Sequence, residues 1–342
     1  MQILTNPHRG RGLKTAELAE VPFPSTDAET PLALLSRCPV ASETPLAEHE
    51  LFGTRIWVKD ESNRMNLGSF KALGAAYVIA HIAAATGKKD LSQALAGRTF
   101  VTSSAGNHGL SVAAGARAFG ANAAVYLSQE VPESFAKRLE AKDARVVRAG
   151  ADYTASMQAA MQAAETHDWT LLLDTSWQGY TALPHRLMEG YLVMAAETVR
   201  QMPEPPTHIL LQAGVGGLAG AMAAYFRAHW GDAPQIVVVE PDRAPALHDS
   251  IREGRCVLTE GETSDMGRLD CKEPSLIALK GLARDADSFA LISEEEAFEV
   301  LDSLAKRGLA TSTSGGAGLA AVAQMNLGPD ARVLTFLSEG PA

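Results

Sequence analysis

Cysteine is scarce in this chain, with three among 342 residues: Cys38, Cys256 and Cys271. That count excludes a fold stapled by disulfides and favours free thiols in a reducing compartment. Positive charge is the minority, 30 Lys and Arg against 40 Asp and Glu, for a net charge of −10. No basic run supplies the phosphate-neutralising attraction that nucleic acid or an anionic membrane surface requires, so neither is expected as a partner. Long apolar runs are missing too. The stretch Leu218 to Phe226 is among the longest and falls far short of a membrane span. The opening MQILTNPHRGRGLK has no continuous apolar core and no small-residue cleavage site, so no secretory signal is expected and the cytoplasm is the expected location. There is no fixed-period repeat and no low-complexity segment.

What is present is the composition of a globular protein, 46% hydrophobic and 20% charged. The length suits two domains or one subdivided α/β unit. Residues 1–50 are punctuated by Pro and Thr and read as loops and short turns. TRIWVKDES (54–62) reads as a strand running into a turn. From there strands and helices alternate. RTFVTSS, AAVYLS, ARVVRAG and TLLLDTS are strands, separated by NHGLSVAAGARAFG, by PESFAKRLEAKD with Pro132 in its first turn, and by DYTASMQAAMQAAETHD. After a long helix near 182–201, THILLQAG and QIVVVEP repeat the pattern around LAGAMAAYFRAHWG. Short apolar strands separated by helix-length segments indicate parallel sheets covered by helices on both faces. Residues 98–173 hold a complete four-strand series that forms one unit, and the strands from His208 onward belong to another. Ligands of such sheets bind at loops following the carboxyl ends of strands.

Three of those loops carry chemistry. LLQAGVGGLAGAMAA places Gly214, Gly216 and Gly217 between a strand and a helix, where glycine lets backbone N–H groups approach an anion. Gly214, Gly216 and Ala219 also match a dinucleotide loop in part, with Glu240 after a later strand as its acidic residue. A structural turn is the third reading of the same glycines. VTSSAGNHG sets Ser103, Ser104, Asn107 and His108 at a strand-to-helix junction. Helix capping accounts for one of these polar groups but not for four within six positions. Asn107 suits a ring hydroxyl, whereas a lone histidine at a helix start more often bonds backbone. In GSFKALGAAY, Lys71 is the only charge at the mouth of an apolar segment. A snorkelling lysine is the ordinary reading. Desolvation instead lowers a lysine's pKa and suits it to Schiff-base formation. A phosphate loop, an apolar-flanked lysine and an asparagine at the junction together point to pyridoxal 5′-phosphate.

In this order, KDES…GSFKALGA, SSAGNHG, AGVGGLAG and the terminal FLSEG resemble the motifs of fold-type II pyridoxal-phosphate enzymes, the tryptophan-synthase β-like superfamily. The resemblance runs from about Ile56 to the C-terminus. Within that group, LLLDTSWQGYTALPHRLMEGYLVMAAE (171–197) and MGRLDCKEPSLIAL look like segments of diaminopropionate ammonia-lyases. SSAGNH is closer to threonine dehydratases, because Ala105 stands where those lyases carry an aspartate.

The resemblance implies an α/β fold of two doubly wound domains, each with a central, mostly parallel sheet. Residues 1–80 with 190–342 would form the large cofactor-binding domain, and 81–189 the small one. It implies that Lys71 forms the Schiff base and serves as the base for the α-proton, and that Gly214, Val215, Gly216 and Gly217 bind the phosphate. Asn107 would meet the ring hydroxyl and Ser338 the pyridine nitrogen. Ser103, Ser104, Ala105 and His108 would line the substrate. Asp174 would bind the substrate's distal amino group or steer the leaving group, with turn capping as its alternative. Cys256 and Cys271 would lie near the active-site mouth, where a reversible disulfide is the idea to test against free thiols. The expected reaction is α,β-elimination from a β-substituted L-amino acid such as 2,3-diaminopropionate, releasing a 2-oxo acid and ammonia, by a homodimer. The alternatives are a hydroxyamino-acid dehydratase, a nicotinamide-dependent oxidoreductase using the Gly214 loop, and a cofactor-binding protein without turnover.

Overall fold

A computed structural model describes residues 1–341. Segments such as IVVV (236–239), apolar at consecutive positions, form strands buried on both faces, as parallel sheets require. The strands are β1 (Gln2–Thr5), β2 (Leu46–Leu51), β3 (Thr54–Asp60), β4 (Thr99–Ser103), β5 (Asn122–Leu127), β6 (Arg145–Arg148), β7 (Thr170–Leu171), β8 (His208–Gln212), β9 (Gln235–Pro241), β10 (Ser288–Ile292) and β11 (Arg332–Leu337). They form a seven-stranded sheet, ordered β1-β10-β9-β8-β11-β3-β2, and a four-stranded sheet, ordered β6-β5-β4-β7. All four central pairings of the larger sheet are parallel. Only its edges are antiparallel, β1 against β10 and β2 against β3. The β2–β3 hairpin closes through Phe52 and Gly53, both at positive φ (52° and 74°), which matches the twist of a two-residue turn.

Helices α1 (Glu29–Leu35), α2 (Ala75–Ala85), α3 (Asn107–Ala118), α4 (Glu133–Glu140), α5 (Tyr153–His167) and α6 (Ala182–Gln201) precede β8. Helices α7 (Gly217–Trp230), α8 (Ala246–Glu253), α9 (Leu276–Asp285), α10 (Glu294–Glu299), α11 (Leu301–Ala305) and α12 (Ala317–Gln324) follow it. Helix α6 is buried along most of its length and joins the two halves of the chain. Where it crosses the segment before α2, Gly190 is obligatory, because a Cβ there would collide with the Leu73 carbonyl oxygen. The acidic run Glu294-Glu295-Glu296 opens α10, and Ser293 and Glu296 cap each other's backbone N–H.

Three sequence expectations needed correction. Residues 1–50 are not structureless: β1 and α1 lie within them and β2 begins there, each too short or too polar to show a period. Pro132 precedes α4 in an extended conformation instead of occupying its first turn. The strand expected at TLLLDTS contains only Thr170 and Leu171, so Asp174 lies three residues beyond it, in a loop.

A buried ion cluster anchors the region leading to Lys71. Arg64 donates to Glu61 and Glu197, and Lys59 Nζ donates to Glu197 Oε2 at 2.7 Å and to the Thr44 carbonyl. Two cations face two carboxylates and almost no surface of the four is exposed. Burial depresses the Lys59 pKa despite Glu197.

Candidate active site

The loops that follow β3, β4, β7, β8 and β11 all lie at the carboxyl ends of parallel strands. Lys71 sits after β3 in a single 3-10 turn, Phe70–Leu73, ahead of α2. Three left-handed residues, Met65, Asn66 and Gly68, turn the chain into that position. The C-terminal motif then runs alongside: Phe70 N donates to Ser338 O at 3.1 Å, Ser69 pairs with Glu339, and Gly340 N donates to Gly68 O. Ser338 and Lys71 are thereby brought together although 267 positions separate them (338 − 71).

Lys71 Nζ donates to Asp174 Oδ2 at 2.6 Å, and the aromatic rings of Phe70 and Tyr191 flank it. Burial disfavours the ammonium, but attraction to Asp174 and Tyr191, with the Asp174 hydrogen bond, holds Lys71 above the usual lysine range. Burial likewise opposes the Asp174 charge, and Lys71 and His108 outweigh it, leaving that carboxyl below its usual range. The expectation that desolvation lowers the Lys71 pKa is therefore overturned by its partner. Sequence spacing shows no such pairing between residues 103 positions apart.

The remaining residues divide into those that face this pair and those that shape the loop. His108 Nε2 bonds the Leu172 carbonyl at 2.9 Å, which pins the segment leading to Asp174. Its Nδ1 is buried without a partner, and burial depresses its pKa. Ser103 Oγ is committed to Ser156 Oγ at 2.8 Å, and Ser104 Oγ accepts from Gly106 N. Both hydroxyls hold the junction itself. Ala105 is half-buried against the core. Asn107 Nδ2 donates to Glu339.

In the glycine loop, Gly216 lies at φ +93° as the N-cap of α7, whose first turn carries no acidic residue. A Cβ on Gly214 would lie 2.9 Å from Cys271 Sγ and 3.1 Å from Leu269 Cα, and one on Gly216 2.9 Å from Leu247. The Gly217 side is roomier, with Tyr191, Met188 and the Asp174 carbonyl at 3.7–3.9 Å. Ser69 Oγ and Tyr191 Oη are buried without hydrogen-bond partners. A glycine cradle at a helix N-terminus, two orphaned hydroxyls and a lysine beside them fit a phosphorylated aldehyde cofactor.

Tyr191 and Tyr153 were not singled out from the sequence. Tyr191 is buried in α6 with its pKa pushed up to about 12 by burial, and Gly74 leaves it room. Tyr153 opens α5 with half its surface exposed, and burial of its hydroxyl, with the charge of Asp174, raises its pKa. Cys271 is a free thiol against the glycine loop, its pKa raised to about 12 by burial and Asp174. Cys256 is also free. Glu240 is not a ribose-binding acid: its two oxygens accept the Leu247 and His248 N–H groups at the start of α8.

Residues 38–339 match the family described as pyridoxal-phosphate dependent enzymes. The chain belongs to this family. Its cofactor is pyridoxal 5′-phosphate, and the nicotinamide alternative falls. Among relatives of this pyridoxal-phosphate enzyme, diaminopropionate ammonia-lyase of Escherichia coli K12 is 36% identical over 256 residues, covering 70% of this chain and 64% of the lyase. The chain thus spans less than two thirds of that relative in the alignment. The Salmonella typhimurium lyase is 32% identical over 72% of this chain and 68% of its own. A crystal structure of the E. coli lyase in complex with D-serine superposes with a TM-score of 0.88 at 29% identity, covering 99% of this chain and 93% of that one.

Proposed function

We propose that the protein is a pyridoxal-phosphate-dependent ammonia-lyase that performs α,β-elimination on a β-substituted L-amino acid such as 2,3-diaminopropionate, giving a 2-oxo acid and ammonia. The observation that carries this reading is the Lys71–Asp174 pair, 2.6 Å apart beside the glycine loop. Lys71 would hold the cofactor aldehyde, the N–H groups of Gly214 to Gly217 its phosphate, Asn107 its ring hydroxyl and Ser338 its pyridine nitrogen. When bound, the cofactor supplies the electron sink for the α-carbanion.

The chain's own groups do the rest. The Lys71 amine takes the α-proton, and Asp174 receives the ammonium of the substrate's side chain by charge attraction. The side-chain ammonium leaves as neutral ammonia with the C–N bonding electrons, and the Lys71 ammonium formed by taking the α-proton stays beside the Asp174 carboxylate. The rings of Phe70 and Tyr191, which flank Lys71, would restrict water around that pair. The likeness to diaminopropionate ammonia-lyases supports this assignment. The second reading, a hydroxyamino-acid dehydratase, is favoured by Ala105 and by 26% identity to a probable D-serine dehydratase of Pseudomonas paraeruginosa. The two strand sets belong on this reading to two domains, 1–80 with 190–342 and 81–189, and the active form to a homodimer.

Purified protein incubated with L-2,3-diaminopropionate, L-serine and L-threonine tests the assignment by ammonia and 2-oxo acid release. Diaminopropionate should yield twice as much ammonia as 2-oxo acid, and serine equal amounts. Turnover of serine or threonine alone establishes the dehydratase. Lys71→Ala should abolish turnover, and full activity in that variant sinks both readings.

A further inference from the structure

The C-terminal motif holds a carboxylate that this chemistry leaves unused. The Glu339 side chain is 11% exposed, and its contacts converge on the cofactor-binding junction. One oxygen accepts Asn107 Nδ2 and the other accepts Ser312 Oγ. Arg268 Nε lies 3.6 Å from the Asn107-bound oxygen. The backbone of Glu339 is held equally firmly. It pairs with Ser69, and its carbonyl accepts Thr311 Oγ1 at 2.6 Å. Gly315 makes room for it, since a Cβ there would lie 2.9 Å from Glu339 Cγ.

An asparagine amide can present either its oxygen or its nitrogen, and the two ends differ only in hydrogen bonding. An ionised carboxylate accepts and never donates, so facing Glu339 the amide must offer Nδ2. One rotamer is then fixed, and with it the direction of the second Nδ2 hydrogen and of Oδ1. The contact also crosses between the two sheets, because Asn107 follows β4 and Glu339 follows β11. Arg268 beside it offsets the charge, its Cδ 3.4 Å from where a Gly106 Cβ would be.

We propose that Glu339 is the positioning residue for Asn107: it selects the amide rotamer that meets the cofactor ring hydroxyl, and it ties that amide to the segment bearing Lys71. The inference rests on Asn107 being the partner of that hydroxyl. A double-mutant cycle tests both levels, using Glu339→Gln, Asn107→Ala and the double variant. Glutamine can donate as well as accept, so it leaves either amide rotamer open. The readouts are the dissociation constant for pyridoxal 5′-phosphate and the absorption spectrum of the bound cofactor.

In the native background Glu339→Gln should weaken cofactor binding about tenfold, the scale of one charge-assisted hydrogen bond. In the Asn107→Ala background the same change should cost no more than about twofold, within ordinary additivity error. The Asn107→Ala and double-variant spectra should coincide, since Glu339 then has no route to the ring. Equal effects of Glu339→Gln in both backgrounds, or none in the native one, overturn the proposal. An unchanged affinity and spectrum in Asn107→Ala overturns the reading of Asn107 beneath it. Should Glu339→Gln fail to fold, Glu339→Asp, which keeps the charge but loses the reach, takes its place in the cycle with the same outcomes.

Discussion

At the residue scale, the proposed function makes one methyl group the test of stereochemistry. On the proposed function, Lys71 would serve one face of the substrate α-carbon, and the resemblance would place Ala105 at the other. A methyl carries no exchangeable proton. We therefore expect action on the L-isomer, with the D-isomer slower by ~10²–10⁴-fold, the contribution of a missing general acid or base. The E. coli relative was crystallised with D-serine, which makes the comparison pointed. Comparable kcat/KM for the two isomers of one substrate would show that another group covers that face. Asp174 is the second such position. Asp174→Asn removes the charge proposed to receive the substrate's side-chain ammonium, and turnover should fall about 10²-fold, the scale of losing one partner of a buried charge pair. Cofactor content, which on the proposed function depends mainly on the glycine loop, should stay near native, and cofactor loss matching the loss of activity would assign Asp174 a structural role.

At the element scale, the strand-to-helix corner at β9–α8 contains a titration. Burial pushes the Glu240 pKa up to about 8, against the pull of two backbone N–H donors. Its ordinary value is 4.5, so the folded form holds the proton more tightly than the unfolded chain. The stability it contributes is complete below pH 4.5 and is lost as pH rises to about 8. From 1.36 kcal/mol per unit, the change amounts to at most about 5 kcal/mol. Glu240→Gln mimics the protonated acid and should flatten stability against pH in that window, as measured by urea unfolding from pH 4 to 9. An unaltered pH slope would show that the two N–H groups keep the carboxylate ionised. Gly190 is the matching steric case in α6. Gly190→Ala must push the helix off the Leu73 carbonyl, which moves the 3-10 turn bearing Lys71. It should lower both thermal stability and turnover, and a variant with native values of both would contradict the close approach.

For the whole molecule, the ion cluster of Lys59, Glu61, Arg64 and Glu197 ties β3 and the segment before Lys71 to α6. Burial opposes the Glu197 charge, but hydrogen bonding and attraction from Arg64 and Lys59 win, so its pKa is lowered below 4.5. The stability it adds is present above pH 4.5 and lost as pH falls through the depressed value. Glu197→Gln leaves two buried cations short of a countercharge, and a loss of about 3–5 kcal/mol is expected. Chemical denaturation at neutral pH checks this, and a change under about 1 kcal/mol would mean that water or Glu61 compensates.

The α/β alternation, the glycine corner and the lysine ahead of α2 were legible in the chain because they are local. Each depends on propensity, on period or on backbone freedom within a dozen residues. The apolar strands announced a parallel sheet for the same reason, whereas the polar edge strand β2 (LAEHEL) and short β1 did not. Partnership was beyond its reach. Asp174 meets Lys71 across 103 positions, and Glu339 meets Asn107 across 232. Lys71 follows β3 of the larger sheet and Asp174 follows β7 of the smaller, and only the meeting of those two loops turns a lysine expected to lose its proton into half of an ion pair. A side chain's type is written in the sequence, but its charge state depends on the neighbour that the fold supplies.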